Sequence, residues 1–480
     1  MKLTSGYQFQ NSFTSLPQEL FEQVRQSPIT RAKLIHATNL RSTLGLDHFT
    51  DAELISWLNG EKRLEGDQRI ATRYAGHQFG VWAGQLGDGR AMSLGEILTP
   101  RHERLEIQMK GAGLTPFSRM GDGKAVIRSS VREYLCSEAM FGLGIPTTRA
   151  LALLTGEDPV ARETMERSSL VARVFASNLR FGHFEMFYHS EKKDTIKALI
   201  EYACQTFFQN STPEEMLTQV VSRTAKLMAQ WQNVGFCHGV MNTDNMSLLG
   251  LTIDYGPFGF LEDTVLNYVC NHSDHRGRYA YNQQPSVAMW NLERLLVCFM
   301  DVVPKEKLEA ILNTFVPEFE SEYARLCRQK LGLEAEIASD YPLFIDLLKT
   351  LGTLNVDYTY FFRQLARYEK NRPESFKAFW DYYGNRAEIK TWLVRYDERL
   401  GLEALSDQER SHKMLATNPK YVLKNYIAQE VIQDVEAGNS DRLTAWLEVF
   451  YKPFDEHVAF EKYANPTTAE HKNISVSCSS

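Results

Sequence analysis

Apolar and polar positions change their spacing along the chain, and the changes mark out regions. After a mixed N-terminal stretch, residues from about Arg69 to Leu154 fall into short strand-like runs separated by Gly-rich turns, with one helix among them. In one run Leu105, Ile107 and Met109 alternate with Glu106, Gln108 and Lys110. That period of two predicts a half-buried strand whose polar face carries Lys110. Residues 169–175 alternate similarly and place Arg173 in another strand. Ser130-Val131-Arg132-Glu133 reads as a capping box opening a helix that ends near Gly142-Leu143-Gly144-Ile145-Pro146. Beyond Thr212 helical spacing dominates. Thr212-Pro213-Glu214-Glu215 starts a helix with Pro at its first position. Leu217, Val220, Val221, Thr224, Met228 and Trp231 form its buried stripe, and Gly235 ends it.

Composition narrows the class. The 480 residues are 43% hydrophobic and 24% charged, ordinary for a globular protein of two or three domains. With 53 basic and 60 acidic residues the formal charge is −7, so no electrostatic field for nucleic acid is expected. Apolar runs such as Leu295 to Met300 are too short to cross a membrane. The N-terminal residues do not resemble a signal or transit peptide, and seven scattered cysteines do not suggest a secreted disulfide framework. A cytoplasmic location is expected.

The densest chemistry lies just after the long helix. It reads His238-Gly239-Val240-Met241-Asn242-Thr243-Asp244-Asn245, then Ile253-Asp254-Tyr255-Gly256 on a short strand. Protein kinases place His-Arg-Asp, four residues, Asn and then Asp-Phe-Gly in this order. Val240 fills the slot of the catalytic Asp, and valine accepts no proton. Asn245 and Asp254 would supply a carbonyl and a carboxylate from adjacent segments, which suits Mg²⁺ or Mn²⁺ held with nucleotide phosphates. Asp244 is the nearest carboxylate able to replace the missing base. Each has a plainer reading as well: Asn245 and Asp244 as turn residues, Asp254 as a helix cap.

Upstream, Lys110 has the phase of the phosphate-binding strand lysine, and Glu133 on the following helix would orient its ammonium. Glu133 would equally close its own capping box. Gly84-Gln85-Leu86-Gly87-Asp88-Gly89-Arg90 precedes the Lys110 strand, as a nucleotide-covering loop would, although Asp88-Gly89 and Asp122-Gly123 are also hairpin-turn dipeptides. Arg173 and Arg180 are suited to clamp phosphate. Cys270-Asn271-His272-Ser273-Asp274-His275 has no second Cys/His cluster to complete a zinc site. Three function classes remain open: nucleotidyl transfer, γ-phosphate transfer with Asp244 as base, and a non-catalytic ATP-binding scaffold.

Longer blocks resemble one family. Arg73-Tyr74-Ala75-Gly76-His77-Gln78-Phe79-Gly80, Lys110-Gly111-Ala112-Gly113, Arg128-Ser129-Ser130-Val131-Arg132-Glu133, the loop from His238 to Met246, and Asn418-Pro419-Lys420-Tyr421-Val422-Leu423 are similar to blocks of the selenoprotein O family of protein adenylyltransferases. The resemblance runs over nearly the whole chain. It implies an α+β, protein-kinase-like bilobal fold with an N-terminal extension and a large C-terminal helical region. The implied division is 1–68 extension, 69–165 N-lobe, 166–320 C-lobe, 321–464 helical region and 465–480 tail. It implies that ATP binds inverted, and that AMP passes to Ser, Thr or Tyr hydroxyls of proteins as pyrophosphate leaves. Gly87, Gly89, Arg90, Lys110, Asp122, Gly123, Arg173 and Arg180 match its nucleotide contacts. Glu133 matches the partner of Lys110, Asn245 and Asp254 the ligands of Mg²⁺ or Mn²⁺, and Asp244 the proton acceptor. Cys478 stands where eukaryotic members carry selenocysteine. A disulfide between Cys270 and Cys478 would restrain the C-lobe and gate activity by redox state. No membrane or nucleic-acid partner is expected.

Overall fold

The structure is a computed structural model that describes residues 1–472 together with Ile474 and Val476. Its largest sheet is antiparallel and has nine strands among the described residues. The order across it is Phe21–Gln23, Ile70–Thr72, Ala91–Leu98, Arg104–Lys110, Met165–Phe175, Arg149–Ala161 and Lys33–Ala37. Gln8–Gln10 and Ala125–Val126 pair with it off this path. Three N-terminal strands and the strand ending at Phe175 thus belong to one sheet. The expected segment edges at 68/69 and 165/166 cut across its pairing.

The register of two central strands sets the chemistry. Gln108 lies opposite Arg173, and Lys110 opposite Val171. Directly paired residues share a face, and so do residues two apart, so Gln108, Lys110 and Arg173 project together. The other face carries Ile107, Met109, Ala172 and Val174, which pack on Leu54, Trp57 and Leu58 from the N-terminal helix Asp51–Leu58. The Lys110 strand therefore differs from its expectation in one respect. Its polar face is not solvated: Gln108 is 0% and Lys110 8% exposed, because the rest of the molecule closes over it.

The helix bearing Glu133 runs Ile127–Gly142. It starts three residues before the expected capping box, with Val126 as its N-cap. Ser130 sits inside it and bonds the Ser169 hydroxyl at 2.6 Å, leaving Glu133 for other partners. It is held by the C-terminal helices Asn425–Glu436 and Asp441–Tyr451. Arg132 donates to Asn425 Oδ1 at 3.2 Å, and Tyr451 donates to Glu138 at 2.9 Å. Gly142 lies so close to the second of these helices that a Cβ there would stand 1.7 Å from the Phe450 carbonyl.

The long helix matches its sequence signals. It spans Pro213–Val234, with a complete Thr212–Glu215 capping box and Gly235 at φ +76°. Residues from Gln284 to Tyr451 are mainly helical and enclose a further aromatic-rich core around Phe344, Phe361, Trp392 and Tyr396. No helix among the described residues is long and apolar enough to cross a membrane.

Candidate active site

The polar face of the sheet looks across a cleft of about 820 Å³ onto the loops that follow the long helix. Lys110, Arg173, Arg180, Asp244, Asn245 and Asp254 all line it. Gly87, Gly89, Arg90, Asp122 and Gly123 line its mouth. Glu133 lies behind them, 2% exposed.

One ion-pair chain runs through the site. Lys110 Nζ donates to Glu133 Oε2 at 2.5 Å, and Arg173 Nε donates to Glu133 Oε1. Arg173 then donates to Asp254 Oδ1 at 2.6 Å, while Arg180 donates to Asp254 Oδ2 and to the Asp244 main-chain oxygen. Burial alone would raise the Asp254 carboxyl, but Arg180, Arg173 and Lys110 outweigh it and hold the group well below the usual carboxylate range. Burial likewise opposes charge on Glu133, and Arg173 and Lys110 overcome it. Lys110 moves the other way: burial, helped by Arg173 and Arg90 and opposed by Glu133, brings its ammonium down to about 8.

Asp254 does not sit on a strand as expected. The segment forms a single bridge, Thr147 to Thr252, and Asp254 itself adopts φ +57°. This left-handed kink turns the carboxylate toward the two arginines. His238 fixes the kink from below. Its Nε2–H donates to the Ile253 carbonyl at 2.8 Å, and its Nδ1 accepts from the Val240 N–H at 3.3 Å. Its ring stacks on Trp231 of the long helix.

Asp244 is shifted by its burial. Burial pushes its carboxyl up to about 7 against the pull of Arg180. Its Oδ1 is buried and has no hydrogen-bond partner among the described residues. A Cβ at Gly76 would stand 2.7 Å from that oxygen, so only glycine leaves the strand this close to it. Asn245 donates its amide to the Val240 carbonyl at 3.0 Å, which leaves its own side-chain carbonyl for a ligand. The donor set of Asp254 carboxylate, Asn245 carbonyl and the orphaned Asp244 oxygen is all oxygen, and fits a hard divalent cation.

The Gly-rich loop is not a hairpin turn. Val81–Gln85 pairs with Ala75–Gln78, not with the strand after the loop. Asp88 is turned inward and accepts from the Thr72 N–H at 2.9 Å and hydroxyl at 2.6 Å. Gly87 has φ +109°, and a Cβ there would meet the Phe117 ring at 2.6 Å. Asp122 pairs with Arg162 at 2.8 Å, a cleft residue that periodicity gave no reason to select. Gln108, which receives Arg173 NH1 at 3.1 Å, was equally hidden, because polar strand residues normally face water. The β-hairpin turn at Phe79 also reaches the loops: its N–H donates to the Tyr279 hydroxyl at 2.8 Å, which donates to Asn242 at 2.6 Å.

Cys270 is buried, and its Sγ lies 3.4 Å from that of Cys237. Cys478 lies outside the described residues. The tail nevertheless comes close to Cys270, since the His272 N–H donates to the Val476 carbonyl at 3.1 Å. The Cys270–His275 run forms no metal-ligating group among the described residues. Asp274 there accepts instead from the N–H groups of Arg278 and Tyr279, at 3.0 and 2.7 Å.

The family described as protein adenylyltransferase SelO matches residues 4–450. The protein nucleotidyltransferase YdiU of Vibrio cholerae serotype O1 is 43% identical over the full length of both chains. Proteins of the same name from Bordetella petrii and Herminiimonas arsenicoxydans are 44% and 43% identical, each match covering 98% of this chain and 98% and 96% of the relative. The chain belongs to the SelO family of protein adenylyltransferases.

Proposed function

We propose that the chain transfers AMP from ATP to Ser, Thr or Tyr hydroxyls of proteins, in a cleft between two kinase-like lobes. The observation that carries this reading is the cleft's charge arrangement. Three cations, Lys110, Arg173 and Arg180, line the cleft together with Asp244, a buried carboxylate whose Oδ1 has no hydrogen-bond partner among the described residues and whose carboxyl burial raises to about 7. Phosphoryl-type transfer needs positioning and charge neutralisation more than a strong base. That is why Val240 in the usual base position is compatible with catalysis.

In this reading the acceptor hydroxyl oxygen attacks the α-phosphorus of ATP. The new oxygen–phosphorus bond forms as the bond to the bridging oxygen of the β-phosphate breaks. The hydroxyl proton passes to Asp244, and pyrophosphate departs with the bonding electrons. Arg173 and Arg180 exchange Asp254 for phosphate oxygens, which frees Asp254 to join Asn245 in holding Mg²⁺ or Mn²⁺. That cation, when bound, neutralises phosphate charge. Lys110 stays ionised and aligned through Glu133. The acceptor polypeptide approaches through an adjoining hollow of about 940 Å³ that shares Phe79 with the cleft and is lined by Arg278 and Trp290.

The direct test measures the leaving group. Pyrophosphate released per modified acceptor is expected at one to one, without orthophosphate. Orthophosphate or ADP as product would overturn the proposal.

A further inference from the structure

A second cluster of ligating side chains lies beside the catalytic loop but outside the cleft. Glu185 and His189 are four residues apart on the helix Phe181–His189, so they share one face. His77, on the strand Ala75–Gln78, meets that face. One ligating atom from each of the three lies within 4.8 Å of the others. None of the three lines the nucleotide cleft.

The cluster is built rather than incidental. Glu185 is 1% exposed, and its Oε1 is buried without a hydrogen-bond partner among the described residues. A buried carboxylate oxygen without a partner is costly, and a cation is one group able to satisfy it. Its Oε2 lies 2.5 Å from His77 Nδ1, close enough to share one proton. Burial raises the Glu185 carboxyl, with a hydrogen bond from Thr243 and the charge of Arg294 opposing. Around the ligands stand the rings of Trp82, against His189 at 4.0 Å between centroids, and Trp290, against His77 at 5.3 Å. Arg278 and Arg294 lie over Trp290 and add positive potential, so an ion here depends on the ionised Glu185.

We infer that His77, Glu185 and His189 form a three-ligand site for a borderline divalent metal, of which Zn²⁺ is the best match, with a fourth position open to water. Two imidazoles and one carboxylate suit Zn²⁺, whereas the oxygen set of Asn245 and Asp254 suits Mg²⁺ or Mn²⁺. Binding displaces the proton between His77 and Glu185 into solvent. The ion would tie the strand to the helix. It would also steady the catalytic loop, because the His77 main-chain N–H donates to the Thr243 hydroxyl at 2.7 Å, next to Asp244.

The test uses the full chain, freed of metal with a chelator and titrated with Zn²⁺ alone by calorimetry. One equivalent is expected to bind. His189→Ala, a change at an exposed ring, and His77→Gln should each weaken that event at least about 100-fold, scaled from the losses seen when the outer partners of metal ligands are removed. Asp254→Ala should leave it unmoved. Co²⁺ in place of Zn²⁺ should give the absorption of a low-coordinate nitrogen and oxygen site without thiolate bands. Absence of binding, equal affinity in His189→Ala, or loss in Asp254→Ala would each overturn the inference. These readouts do not require nucleotide transfer, so they stand or fall separately from the proposed activity.

Discussion

Glu133 holds Lys110 and Arg173 at once, one on each carboxylate oxygen, from a helix that the C-terminal region braces from behind. The residue is therefore a junction rather than a simple lysine partner. Glu133→Ala leaves the buried Lys110 without its carboxylate and Arg173 with Asp254 as its remaining acid, and should destabilise the fold by about 3–5 kcal/mol. Glu133→Gln keeps the shape but removes the charge. Its transfer rate should fall by about 10² while the fold survives, because Lys110 loses the group that keeps it ionised and aligned. Thermal melts and kcat on the two variants separate these effects.

Asp244 should set the pH profile. Its carboxyl titrates at about 7 in the folded chain, and only the ionised form accepts a proton. The rate is expected to rise with pH through 7 and then level. Asp244→Asn should lose that limb and about 10² or more in kcat. Stability should move oppositely. The folded pKa lies above the ordinary 3.8 of an aspartate in the unfolded chain, so the folded chain keeps a proton that the unfolded chain releases between these values. Stability from this group is full below pH 3.8 and is lost as pH rises through 7. Asp244→Asn should therefore melt higher than the parent at pH 8, with the gain shrinking at pH 5.

Gly142 links the helical region to the site's scaffold. Any side chain there meets the Phe450 carbonyl, which is backbone and cannot rotate away. Gly142→Ala should cost about 1–3 kcal/mol as the helices separate. Differential melts would show it, and a neutral result would mean the contact is looser than described.

The redox reading turns on which thiol meets Cys270. Burial raises the Cys270 thiol, so oxidation requires the tail and loop to open. We propose that Cys270 pairs with Cys478, because Val476 is already docked on His272. Diamide treatment followed by peptide mapping should give a Cys270–Cys478 peptide. A Cys237–Cys270 peptide alone would contradict this and assign the switch to the buried neighbour.

Much of this architecture was legible in local signals. The helix from Pro213 to Val234 carries its cap, stripe and stop in adjacent residues, so short-range physics determined it. Lys110 was legible as a strand lysine because alternation survives in one window. The convergence of Lys110 with Arg173 was not, since antiparallel register between residues over 60 positions apart leaves no local trace. The same holds for Asp254. Its turn-like residues suited a cap as well as a ligand, and only the placement of Arg173 and Arg180 shows what the kink is for. Glu133 read equally as a cap and as the partner of Lys110, because the helix begins at Ile127, where no polar side chain announces it.

The central claim is that Lys110, Arg173, Arg180, Asn245 and Asp254 position a triphosphate for attack at its α-phosphorus. Incubation with ATP labelled at either the α- or the γ-phosphate, with a divalent cation and protein acceptor, tests it most directly. The account predicts covalent α-label on protein, no γ-label, and loss of label in Asp254→Ala. Retained γ-label, absence of both labels, or unimpaired labelling by Asp254→Ala would contradict it.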